Sequence, residues 1–373
     1  MTDFPAPFFF CASLSFCAPV FFCAPVFFCA PVFCAADPAP AQTYAVTDLV
    51  LPPGYTRSSA KAVNAQGQVT GEITQGTQFS HAFLYSSGQM TDLGTLPGFT
   101  DSVGNAINDS GEVTGVATRA DPADKSAHPA LIVHAFLARA GALQDLRPLG
   151  RALYLSSGIN TGGLVVGGVI TLRDQDRAFV YHDGRVIVLD EMIAQARAGW
   201  KLQEADGIND AGDIVGSGFH NGVLHAFLYH GGAVTDLNRF LPPQSGWALE
   251  RATGINNKGE VVCLGKRGKT SHAFLLRGGV PVDLGALADY PNLVEAHLNN
   301  NDQVVGEAET ASGDGHCAFL YDGGTLTDLN RTVPPEAHWS LEEANGINDQ
   351  GVIVGTGEHE GKGRAFLLTP KAK

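Results

Sequence analysis

The chain is short of positive charge: 24 Lys and Arg stand against 38 Asp and Glu, a formal net charge of −14. Such a surface repels a phosphate backbone or an anionic bilayer, so nucleic acid is not an expected partner. Apolar spacing of period 3.6 is missing from every long stretch, whereas Gly (45) and Pro (20) are plentiful, which implies short strands joined by turns. HExxH, GxSxG and Walker motifs are all absent. Gly355 to Gly361, GTGEHEG, leads into a hairpin and carries no nucleotide signal. Cysteine is scarce beyond the first 34 residues, where only Cys263 and Cys317 occur, at a spacing that suits neither zinc nor a CxxC redox pair. Buried free thiols are expected there, and no metal or cofactor.

Charge is missing in a second way, since residues 4 to 36 hold no ionisable Asp, Glu, Lys or Arg and carry an echoed FCAPVF. With small residues following at Cys34–Ala36 and Ala39–Ala41, residues 1–41 are expected to be the apolar leader of an exported protein. Pro19, Pro25 and Pro31 interrupt any helix there, so a stable membrane span is not expected. The body, 43–369, is expected to act outside the cytoplasm or in the periplasm as a monomer, with 370–373 as a tail.

What the chain does have is a repeat. Gly207 to Leu237, GINDAGDIVGSGFHNGVLHAFLYHGGAVTDL, recurs seven times, with Asn anchors at Asn64, Asn108, Asn160, Asn209, Asn256, Asn299 and Asn348. The anchors are 44, 52, 49, 47, 43 and 49 residues apart, the range of propeller blades. Each copy reads as four short strands. Thr43 to Leu49, TYAVTDL, matches the end of a copy, and the last copy stops after Arg364-Ala365-Phe366-Leu367-Leu368 without that ending. A ring explains the split, because the N-terminal strand then completes the last blade and no sheet edge is left open. The expected fold is an all-β, seven-bladed propeller of four-stranded blades, closed three strands plus one.

Loop lengths orient the blades. Asn-x-x-Gly makes the first turn tight in six copies, with Asp302 in place of Gly in the other, because Asn bonds its own backbone two residues on and Gly accepts positive φ. The second-to-third loops and the links between copies vary, and strand alternation sends both to one rim. Function is expected on that variable face, with the first strand at the channel. Its longest loop, Arg119 to Pro129, is a candidate source of specificity. Phe83, Phe136, Phe179, Phe227, Phe274, Phe319 and Phe366 recur in the third strand and are expected to fill the gaps between blades.

His81-Ala82-Phe83, His134-Ala135-Phe136, His225-Ala226-Phe227 and His272-Ala273-Phe274, with Gly-Ile-Asn-Asp turns and Thr-Asp-Leu endings, resemble the bacterial HAF-repeat family of probable extracellular proteins. The likeness runs over about residues 44 to 368, with Arg177, Cys317 and Arg364 replacing the His of three copies and Val188 the Asp of one. It implies an exported repeat protein and supplies no catalytic residues or ligand.

Three sets of residues invite a chemical reading. The repeated His lie too far from the axis to share one ion, and structural hydrogen bonding is expected; His220, His225 and His230, five apart, are not expected to converge on a strand. The set Asp48, Asp92, Asp145, Asp236, Asp283 and Asp328 is expected to bond locally, because paired acids and bases need unlike environments. Nine residues before each anchor stands Tyr55, Phe99, Arg151, Trp200, Trp247, Tyr290 or Trp339. The six rings either plug the wedges between blades or line the channel mouth as ligand-binding faces for sugars or aromatic groups. The protein is expected to be a non-enzymatic scaffold binding an extracellular glycan or protein through these rings; the alternative is a hydrolase or lyase with its site at the channel mouth.

Overall fold

The computed structural model describes residues 42–76, 79–126, 130–146, 153–170, 176–193 and 199–371. The expected leader and Arg151 lie outside them. Within them the chain forms seven four-stranded antiparallel sheets, each with its strands in sequence order except the last. Blade 4 shows the plan: Trp200–Ile208, Ile214–His220, Val223–His230 and Ala233–Asp236, from the axis outward. Among the described residues the helical segments are short 3-10 turns, and no helix is long and apolar enough to cross a membrane.

The last sheet takes three strands from the C-terminal end, Trp339–Ile347, Ile353–His359 and Lys362–Pro370, and its fourth from Tyr44–Asp48. Tyr44 pairs with Pro370, Val46 with Leu368 and Asp48 with Phe366. Lys371 N–H bonds the Thr43 carbonyl at 2.9 Å, so the ladder continues past the expected tail boundary. The split repeat therefore closes the ring as its two halves require. Each first strand touches the first strands of both neighbours, and Trp339–Ile347 touches Arg57–Val63.

A second closure comes from the anchors. Each Asn accepts backbone N–H groups on its Oδ1, as Asn64 does from Gln66 and Gln68 at 3.1 and 2.9 Å, which fixes the turn. Its amide then donates to the carbonyl of the anchor in the next blade: Asn64 to Asn108, Asn108 to Asn160, and so on, until Asn348 reaches Asn64 at 3.0 Å. All seven anchors are buried, so the belt satisfies polar groups that water cannot reach. Gly212, at φ +83, completes the blade 4 turn; Asp302, in the equivalent place of blade 6, adopts φ 63.

Packing follows the third-strand Phe. Six of the seven are fully buried and Phe274 is 3% exposed. Each sits in an apolar cluster drawn from two neighbouring blades, as Val166, Ala178 and Val180 of blade 3 meet Leu202, Ala205 and Phe227 of blade 4. Burying such a side chain contributes about 1.5–3 kcal/mol. Cys263 and Cys317 are free, buried thiols, and burial pushes both pKa values up, so neither is a ready nucleophile.

Candidate functional site

The six aromatic residues join the cores between blades. Trp200 stacks on His220 with ring centroids 4.5 Å apart and planes 2° from parallel, and meets Phe227 edge-on. Trp339 does the same with His359, at 4.6 Å and 5°. Trp247 lies between His272 at 4.6 Å and the Arg267 guanidinium at 4.6 Å, and Phe99 rests on His134 at 4.6 Å. Tyr55 donates its hydroxyl to Asp92 at 2.5 Å, while Tyr290 packs on the blade 5–6 core. None of the six lines the central channel. Five of the rings lie against a His of their own blade, whereas Tyr290 belongs to the blade whose third strand carries Cys317 in place of His.

The His of the third strand is held by the Asp eleven residues on. His81 meets Asp92 at 3.0 Å, His134 meets Asp145 at 3.0 Å, His225 meets Asp236 at 2.7 Å and His272 meets Asp283 at 2.8 Å. In their place Cys317 donates to Asp328 at 3.1 Å, and Arg364 forms an ion pair with Asp48 at 3.8 Å. In blade 3, where Val188 replaces the Asp, Asp190 reaches back to Arg177 at 3.4 Å. Burial raises the Asp92 and Asp236 carboxyls, but hydrogen bonds from Tyr55 and His81, or from His220 and His225, outweigh it and leave both lowered.

One expectation needs correction. His220 and His225 do converge, both placing Nδ1 on Asp236 Oδ2, at 2.9 and 2.7 Å. They flank the two-residue turn at Asn221-Gly222, so the chain folds back between them instead of continuing as one strand. His230 goes elsewhere, to Asp213 at 2.5 Å. Among the described residues two groups have metal-ligand proximity: this one, and Glu307, Glu309 and His316.

The channel holds the stronger concentration of chemistry. Its turn end, a cavity of about 200 Å³, is ringed by six of the seven anchors and by Ile107, Ile159, Ile208, Ile255, Leu298 and Ile347. Farther back along the first strands lies a second cavity of about 470 Å³, lined by Asp206, Arg251, Glu295, His297, Glu307, Glu343 and Lys61 among others. Arg251 donates to Asp206 Oδ1 from Nε at 3.1 Å and from Nη2 at 2.5 Å. The Asp206 side chain is 3% exposed, and its Oδ2 is buried without a hydrogen-bond partner. Lys61 pairs with Glu343 at 3.8 Å, and His316 binds Glu307 at 2.5 Å.

Electrostatics at this waist are uneven. Burial pushes the Asp206 carboxyl up to about 7 despite Arg251, with Glu204 and Glu295 adding to the rise. Burial works against the Arg251 charge, yet Asp206, Glu204 and Glu295 more than restore it. His297 opens onto the channel it lines, with 31% of its side chain exposed. Desolvation by the surrounding wall, helped by Arg251 and Lys61, lowers its pKa against the pull of Glu295. Glu307 is raised by burial and by Glu343. Four carboxyls thus face two cations.

Comparing the copies for what they share passes over this site. Three residues before each anchor the chain has Lys61, Asn105, Ser157, Asp206, Thr253, Ala296 and Asn345, a different group almost every time. The available signal was variation at a fixed place on the innermost strand.

No protein-family model matches the chain, and no curated protein matches it. Solved structures do. The β-propeller domain of the Trilobed protease from Pyrococcus furiosus, which has an open velcro topology, aligns with TM-score 0.53 at 10% identity over 86% of this chain and 95% of that one. An oligogalacturonate lyase from Vibrio parahaemolyticus gives 0.55 at 11% identity, covering 87% and 93%. The Pyrococcus horikoshii acylaminoacyl peptidase gives 0.52 at 10%, covering 81% of this chain and 50% of that one. At these identities the likeness is one of fold alone, a β-propeller shared with peptidases and lyases.

Proposed function

We propose that the protein is an exported HAF-repeat propeller that binds a small cationic ligand, an amine or guanidinium, at the waist of its channel. One observation carries this reading: Asp206 belongs to the wall of the charged cavity, and its Oδ2 is buried without a hydrogen-bond donor, so a small turn of the side chain would offer it to a guest. A buried acceptor left alone costs about 1–3 kcal/mol, which a ligand N–H donor would recover. The excess of carboxyls over Lys61 and Arg251 favours a positive guest over an acidic sugar. Export rests on the apolar leader sequence and the family resemblance.

Calorimetry with the full chain tests it, using spermidine and arginine amide as cationic probes and digalacturonate as the anionic one. Saturable binding of a cationic probe is expected, weakened at least tenfold by Asp206→Asn and by Glu295→Gln. Preference for digalacturonate, or binding indifferent to both substitutions, overturns the proposal. A second reading, a channel hydrolase or lyase, is favoured by the raised carboxyl of Asp206 and the lowered imidazole of His297 lining one cavity, two groups shifted toward the range that acid–base chemistry uses at neutral pH. Turnover of oligogalacturonate or a peptide anilide, abolished by both Asp206→Asn and His297→Gln, would replace the binding reading with this one.

A further inference from the structure

We infer that blade 4 carries a divalent transition-metal site made of His220, His225 and Asp236, far out on the sheet and independent of the channel. His220 ends the second strand, His225 lies on the third and Asp236 ends the fourth, so the three come from different strands of one blade. Their ligand atoms lie within 4.8 Å of one another, and both imidazole Nδ1 atoms point at the same oxygen, Asp236 Oδ2. The other oxygen is engaged by Asn238 N–H at 2.9 Å, which leaves Oδ2 as the coordinating atom and fixes the carboxylate's direction.

The geometry is close to a coordination shell. Bonds of about 2.0–2.1 Å to a tetrahedral ion separate neighbouring ligand atoms by about 3.2–3.4 Å. The observed 2.7 and 2.9 Å are hydrogen-bond distances, and an outward shift of about half an ångström per contact turns the cluster into a two-nitrogen, one-oxygen site. On binding, each neutral imidazole takes the tautomer with its proton on Nε2, which frees the Nδ1 lone pair for the ion without net proton loss, and water completes the shell. All three side chains are 20–26% exposed, so ion and water have access. Two imidazoles and one carboxylate suit Zn²⁺, Co²⁺, Ni²⁺ or Cu²⁺ better than Ca²⁺ or Mg²⁺, which prefer all-oxygen shells.

The repeat supplies a control within the same chain. Blade 7 has the same stacked pair, Trp339 on His359, and the same carboxylate, Asp48, but Arg364 occupies the place of His225. Arg cannot ligate a cation, so the blade 7 cluster is an ion pair only. In the blades of His81, His134 and His272 one imidazole meets the Asp. Blade 4 alone among the described residues combines two His with the repeated Asp.

The test is calorimetry of Zn²⁺ into the full chain. One ion per chain is expected, with a rise in Tm. His225→Arg, which copies blade 7 and keeps a partner for Asp236, should weaken binding at least tenfold, and Asp236→Asn likewise. His272→Arg in blade 5 should leave it unchanged. Electron paramagnetic resonance of the Cu²⁺-loaded wild type, which needs no variant to fold, should show two imidazole nitrogens. The inference is overturned by no saturable binding, by fewer than two nitrogens, or by binding that survives His225→Arg, which would move the ion to Glu307, Glu309 and His316.

Discussion

The two cavities of one channel are built on opposite principles. At the turn end every blade contributes the same Asn, and the groups pair among themselves around the full circle. At the waist nearly every blade contributes something different, and the pairing is incomplete. A belt whose seven members all bond their neighbours has no capacity left for a guest, whereas an uneven ring with an orphaned carboxylate oxygen does. Regularity in this protein marks what closes the fold, and departure from it marks what the fold is free to bind.

The largest expected effect concerns the framework common to both ends. Phe227→Ala should destabilise by about 3–5 kcal/mol in urea denaturation, since it empties a core shared by blades 3 and 4. An unchanged transition would show that the blades do not depend on their interfaces, and the contrast between the cavities would lose its basis. Next comes the waist: Arg251→Met at pH 8 leaves Asp206 buried and unpaired, a cost of about 3 kcal/mol. Asp206→Asn in the same chain should recover most of it. The belt is expected to be intermediate and uniform. Asn256→Ala removes the inter-blade bond and the Oδ1 bonds to Lys258 and Glu260, about 2 kcal/mol in all, and Asn64→Ala and Asn348→Ala should match it closely. Widely scattered costs among the anchors would break the distinction.

Titration separates the regions by sign. Asp206 has a folded pKa above its ordinary value, so its contribution is complete below about 4 and is lost as pH rises toward 7. Asp92 and Asp236 are lowered, so theirs is present above the ordinary carboxylate pKa and is lost as pH falls through their folded values. Stability measured from pH 4 to 8 should therefore decline less in Asp206→Asn than in the wild type, while the Asp236→Asn difference should shrink only in acid.

The architecture was legible in the sequence because it is written seven times. Asn64 to Asn348 gave the period, and Tyr44–Leu49 with Ala365–Leu368 gave the closure. Turn chemistry at Asn-x-x-Gly needs no partner to be recognised, so it too could be read. Two kinds of feature escaped. The reach of each anchor amide to the next blade depends on how blades sit side by side, which no local pattern encodes. Asp206, Arg251, Glu295 and His297 come from three blades, about 90 positions from first to last, and share no motif. Trp200 and Trp247 drew notice because they repeat, yet repetition was the sign that they serve the packing. His220 and His225 escaped for a smaller reason, a hairpin turn falling between them.

The smallest expected effect probes the seam between the two cavities. Thr253, three residues before its anchor, is buried and donates Oγ1–H to the Ala296 carbonyl of blade 6 at 2.6 Å. It occupies the waist position yet behaves like a belt residue, bonding across to the next blade with nothing left over. Thr253→Val keeps the shape and loses one hydrogen bond, so about 1 kcal/mol of stability should go. Probe affinity at Asp206 should stay the same. A tenfold loss of spermidine binding in this variant would mean that the waist acts as one polar network, in which a bond between blades counts toward the ligand as much as the orphaned oxygen does.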